Sequence, residues 1–257
     1  MRRAAVAALL TLCPVAVSGQ IADRVREVDA GIVRFAYETR PGVEICDRGI
    51  RMGERQMMWT SHGPPDLERA CRFGPAEVEL DIRDGVVRDV ELVRTVGDRR
   101  ADATDLGEVA PDVAAAFLLS LPRAGATSRG AEEAIFPAML ADVDEVWRAL
   151  LEVAKDRSVV EAARKNALFW LGQEAAAAAT AGLSEVAADE AEDQEIRDSA
   201  IFALSQRSEN ESIPALMEIA RNGEHAESRR TAMFWLAQSK DERVIRFFED
   251  ILLRRIR

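Results

Sequence analysis

Three segments of this chain repeat one another in register. They read Arg164-Lys-Asn-Ala-Leu-Phe-Trp-Leu-Gly-Gln173, Arg197-Asp-Ser-Ala-Ile-Phe-Ala-Leu-Ser-Gln206 and Arg229-Arg-Thr-Ala-Met-Phe-Trp-Leu-Ala-Gln238. Aligning Ala167, Ala200 and Ala232 gives spacings of 33 and 32 residues. A fixed interval of this size marks stacked supersecondary units, none of which can bury its apolar face alone. Ala167 and Leu171 lie four apart, as do Ala200 and Leu204, and Ala232 and Leu236, so each pair shares one helix face. The small Ala admits a neighbouring helix, and Leu and Phe fill the space. A second helix is expected in each unit, over residues 175–188, 213–221 and 241–255, with Asp193 and Asn222 in the polar links between units. Residues 131–141 and 143–155 read as an earlier helical pair.

The front of the chain has a different period. Val33, Phe35 and Tyr37 alternate with polar or small residues, and Val43 to Cys46 can continue as a strand. Val78, Leu80 and Ile82 alternate with Glu77, Glu79 and Asp81, and Asp84-Gly85 precedes a return arm over 86–93. An Asp-Gly pair between alternating runs predicts a β-hairpin over 76–95. Residues 48–68 hold Gly, Pro, Met52, Met57, Met58 and Trp59 and read as a long loop. Those side chains either cap an open sheet face, a task suited to adaptable Met, or form an exposed contact patch. Residues 99–105 are polar and begin a junction, in which 112–121 reads as one helix and 124–130 as a loop.

The first residues, MRRAAVAALLTLCPVAVSGQ, carry a basic start, an apolar stretch and small residues at Ser18 and Gly19. That order predicts a secretory signal over 1–19, with an apolar stretch too short to span a bilayer comfortably. A lipid-modified Cys13 would want a small residue before it, and Leu12 stands there. Cleavage would leave Cys46 and Cys71, and an even pair in an exported chain predicts a disulfide closing a 26-residue loop. Such a bond is worth about 3–4 kcal/mol on chain entropy. A two-cysteine metal site would need further ligands, and His62 is the only histidine nearby.

The chain has 257 residues, 34 Lys+Arg and 45 Asp+Glu, for a net charge of −11. That balance disfavours phosphate-driven nucleic-acid binding and anionic lipid surfaces. Two histidines leave little material for a multi-histidine metal site. The sequence holds no phosphate-binding Gly-rich loop, no Gly-x-Ser-x-Gly and no metal-type Cys-x-x-Cys.

The Arg-x-x-Ala-(Leu/Ile/Met)-Phe-x-Leu pattern after a polar link resembles HEAT-type repeats. Together with Cys46, Cys71-Arg-Phe, the Asp84-Gly85 hairpin, Phe169-Trp-Leu171, Phe234-Trp-Leu236 and Phe247-Phe-Glu-Asp-Ile-Leu252, the chain resembles exported bacterial HEAT-repeat-domain proteins of the HEAT/lyase-like α-solenoid group. The resemblance covers about residues 131–257 and implies an α-solenoid with a binding role. The middle copy departs at Ala203, where the others have Trp170 and Trp235. The Trp position is therefore open between packing and contact.

The expected fold is α+β and mainly helical. A signal (1–19), a small disulfide-tied β-rich module (20–98) and a junction (99–130) precede a short HEAT-type solenoid (131–257). The expected function is non-catalytic binding of another protein in the periplasm or outside the cell, with no catalytic residue, metal or cofactor. Contacts are expected on the second helices at Glu218, Arg221, Arg246 and Asp250. Arg164, Arg197 and Arg229 are expected to bond inter-repeat links rather than a partner, and His62 and His225 to be ordinary exposed residues. The alternatives are a HEAT-like lyase or enzyme accessory, which would need a reactive thiol or convergent acids, and a structural envelope component.

Overall fold

A computed structural model describes residues 21–47, 49–52 and 71–254. The signal segment, Cys13, Met57, Met58, Trp59 and His62 lie outside them. The chain opens with a helical turn, α1 (residues 21–26), followed by strands β1 (Ala30–Tyr37), β2 (Val43–Cys46), β3 (Gly49–Met52), β4 (Cys71–Arg72), β5 (Ala76–Arg83) and β6 (Val86–Val93). Strand β7 (Thr104–Glu108) comes next. The helices are α2 (Pro111–Ser120), α3 (Ser128–Glu133), α4 (Ile135–Leu140), α5 (Val146–Lys155), α6 (Glu161–Gln173), α7 (Ala177–Ala188), α8 (Gln194–Ser205), α9 (Glu209–Asn222), α10 (Ala226–Leu236) and α11 (Glu242–Arg254). The fold is α+β and dominated by helices.

One sheet has the order β6-β5-β1-β7 and the other β3-β2-β4. The hairpin forms as expected: Asp84 and Gly85 both take positive φ, 56° and 67°, and β5 pairs antiparallel with β6. Val33, Phe35 and Tyr37 on β1 and Val78, Leu80 and Ile82 on β5 are fully buried. The Tyr37 hydroxyl donates to the Pro137 carbonyl at 2.6 Å, anchoring the sheet on α4, and burial raises its pKa. On the other face Glu79 is buried beneath Arg34, which reaches it at 3.3 Å and Asp105 on β7 at 2.9 Å. Cys46 and Cys71 face each other across β2 and β4 and are bonded.

Two expectations for the middle of the chain change. Strand β7 lies in the stretch read as a polar junction and pairs parallel with β1. Its mostly exposed side chains give no apolar alternation to read. The helix expected over 131–141 is two short helices, because Pro137 has no N–H to bond the Glu133 carbonyl. The first of them starts earlier, at Ser128, capped by Thr127, whose hydroxyl accepts from the Gly130 N–H at 3.3 Å.

From α5 onward the helices lie in two rows. Helices α6, α8 and α10 contact one another in one row, and α5, α7, α9 and α11 in the other. The repeat positions Ala167, Ala200, Ala232, Leu171, Leu204 and Leu236 are all completely buried between them. Gly172 shows how closely α6 and α8 pack within their row: a Cβ there would stand 2.8 Å from the Ala203 carbonyl oxygen. Rings run along the α4–α6–α8–α10 row, with Phe136 stacked on Trp170 at 4.8 Å, Phe169 on Phe202 at 6.5 Å, and Phe202 against Trp235 at 5.1 Å. One apolar core extends from Ile21 to Phe247 and joins sheet and helices.

Candidate functional site

The four expected contact residues are all exposed on α9 and α11. Helix α11 seats Val244 and Phe247 in the core, with Phe248 and Ile251 partly covered. The Arg221 guanidinium lies 5.2 Å from the Phe247 ring centroid, which draws the charged end of α9 onto α11. Glu218 accepts from the Asn222 side-chain amide at 2.8 Å, and Arg246 pairs with Glu242 at 3.5 Å. Sequence reasoning did not single out the apolar half of this surface. Ile245, Leu252 and Leu253 are 53%, 62% and 63% exposed. At 100° per residue, Ile245 and Leu252 share one stripe of α11, and Leu253, Arg246 and Asp250 follow around the same open arc. The helical spacing alone could have shown this, because α11 has more apolar positions than one buried stripe uses.

A cleft of about 600 Å³ lies between the sheets and helices α3, α4 and α6. Phe136, Trp170, Ile50, Met52 and Leu92 supply its apolar lining. Its polar side is one network. Arg129 donates to Glu133 at 2.7 Å and pairs with Asp89 at 3.1 Å, and the second Glu133 oxygen accepts from the Val90 N–H at 3.1 Å. Burial, together with the neighbouring Asp89 carboxyl, raises the Glu133 pKa, while Arg129 and Val90 pull it back. An apolar floor beside paired carboxyls can hold the amphipathic side chain of a ligand or partner.

The in-register arginines serve the links. Arg164 donates to the Ala154 carbonyl at 2.7 Å and stands 2.7 Å from the buried Glu192 carboxylate, a close ion pair without an aligned hydrogen bond. Arg197 donates to the Glu192 carbonyl and to Gln194, and Arg229 to the carbonyls of Gly223 and Glu224. Each therefore satisfies carbonyls at the end of the preceding helix or in the link that follows it. Arg207, outside the repeat pattern, does the same over a longer distance. Its buried guanidinium donates to the Glu174 and Ala176 carbonyls after α6 and to Glu211 on α9. Trp170 is 1% exposed, whereas Trp235 is only partly buried.

Among the described residues, one group of three side chains is close enough to hold a metal: Glu44, Cys46 and Cys71. Both sulfurs there are spent in the disulfide. No helix among the described residues is long and apolar enough to cross a membrane. Comparison with protein-family models, curated proteins and solved structures finds no match. The geometry therefore has to carry the functional reading.

Proposed function

We propose that this chain is an exported, non-catalytic protein-binding scaffold: a HEAT-type α-solenoid fronted by a disulfide-tied β-rich module. The observation that carries the reading is the open face of α11. Ile245, Leu252 and Leu253 stand exposed there beside Arg246 and Asp250. Large apolar side chains grouped among charges are the makings of a contact surface, whereas single exposed ones are ordinary. The two helix rows and the buried Ala/Leu repeat positions support a solenoid, whose stacked units offer a long binding face. The disulfide and the signal-like first residues support export. The partner is another protein, and the net charge of −11 argues against nucleic acid.

The test compares two baits in the native envelope fraction by quantitative mass spectrometry. One is the parent protein, and the other carries Glu218→Arg, Arg221→Glu, Arg246→Glu and Asp250→Arg. The scaffold reading predicts a protein enriched on the parent and lost from the reversed variant, with both baits equally folded. Equal recovery of every protein on both baits would remove these residues from the contact surface.

A further inference from the structure

A second cavity, of about 370 Å³, lies between the C-terminal ends of α7 and α9 and the start of α10. Ala187, Ala215 and Ile219 make its walls apolar. Glu190, Glu218 and Glu224 surround them with carboxylates. Glu190 and Glu224 line the same cavity, and the neighbouring Glu224 carboxyl raises the Glu190 pKa; His225 works against that rise. Two acids held this close favour a cation beside them. The negative ends of α7 and α9 add to that preference.

Acidity alone would describe a solvated surface. Ser228 makes the difference. It is 1% exposed, lines the cavity, and its hydroxyl has no hydrogen-bond partner among the described residues. His225 lines the same cavity, and its Nε2 is buried and likewise unpaired among the described residues. Buried polar atoms in native folds are nearly always satisfied, so two orphans on one cavity mark where a donor fits. Ser228 can accept a hydrogen bond through its oxygen, and an imidazole can accept one through an Nε2 that carries no proton. Arg229, one residue along α10 from Ser228, is occupied with the Gly223 and Glu224 carbonyls.

We propose that this cavity is a socket for one arginine side chain presented by the partner polypeptide, an inference that rests on the protein-binding reading above. The aliphatic stem lies along the alanine and isoleucine walls. The guanidinium has five donors in a planar fork to set against the carboxylates and the two orphan acceptors of this cavity. A metal ion fits less well, because Glu190, Glu224 and His225 do not converge on one point as ligands must.

The chain's two histidines make the test direct. The ring resonances of His225 are assigned in the full-length protein with a His62→Gln variant and followed by NMR. The probes are acetyl-Gly-Arg-Gly-amide and its citrulline counterpart, which has the same shape without the charge. The arginine peptide should shift the His225 signals saturably and leave those of His62 in place, and the citrulline peptide should do neither. The double variant Glu190→Gln/Glu224→Gln should bind about tenfold more weakly. A still His225, an equal response to citrulline, or a double variant titrating like the parent would each overturn the proposal. So would saturable broadening by manganese(II) at concentrations below those needed for the peptide. These readouts need no partner. A failed titration with a protein enriched only on the parent bait refutes the socket alone, and a normal titration with equal recovery on both baits refutes the scaffold contacts alone.

Discussion

Replacing Arg164 by methionine should destabilise the fold far more than the same change at Arg229, although the two occupy one repeat position. The side chains of Arg164 and Glu192 are 5% and 3% exposed, 2.7 Å apart, and Arg164 also satisfies the Ala154 carbonyl. Removing one partner of a buried pair costs about 3–5 kcal/mol, chiefly because the other charge is stranded. Glu192 would keep the half-exposed Arg157 at 3.4 Å, which places the expectation near the lower end. About 3 kcal/mol corresponds to a fall in Tm of about 6–12 °C in a chain of this size. Arg229 caps two carbonyls and pairs with no carboxylate among the described residues, so its loss should cost about 1–2 kcal/mol. Thermal melts by far-UV circular dichroism on Arg164→Met, Glu192→Met and the double variant complete the cycle. The double variant should melt at or above either single one, since no buried charge is then left alone. An Arg164→Met protein as stable as the parent, yet unable to bind its partner, would refute the reasoning and turn the arginines into a contact ladder.

Three further outcomes follow from the packing and the charges. Gly172→Ala should cost about 1–3 kcal/mol in urea unfolding, because its Cβ would meet the Ala203 backbone rather than a movable side chain. Trp170→Ala should cost about 3–5 kcal/mol, and Trp235→Ala markedly less because its ring is only partly buried; equal losses would contradict the difference in burial. Asp241 accepts from the Arg243 guanidinium and N–H, which holds its carboxyl down at about 2 against an ordinary 3.8. A depressed acid stabilises the fold above its unfolded pKa and loses that contribution as pH falls through the folded one. The Tm gap between parent and Asp241→Asn should therefore be constant near neutrality and close between about pH 4 and pH 2; a gap unchanged at pH 2 would contradict this.

The parts of the fold that could be read from the sequence are those where side-chain periodicity and burial coincide. Ala167, Leu171 and their counterparts repeat because each fills the same gap, and all are buried. The hairpin was legible because Asp84 and Gly85 must adopt positive φ. Strand β7 was not, since Thr104–Glu108 is held by backbone pairing and by Arg34 on Asp105. Arg207 was not legible either. Its carbonyl partners lie 31 to 36 residues away, and nothing local announces them. The candidate surface divides the same way. The charges at Glu218, Arg221, Arg246 and Asp250 could be placed on the second helices from spacing. The socket depends on chain links from two units meeting, which brings Glu190 to Glu224 only in the folded protein.

On the reading proposed above, the outer face of α11 binds another protein. A photo-crosslinking residue placed at Leu252, and in a parallel protein at the still more open Val96 ahead of β7, tests it in the native envelope. A discrete adduct with a different protein is expected from position 252, and none of that mass from position 96. The same adducts from both positions, or only dimers of this chain from position 252, would contradict it.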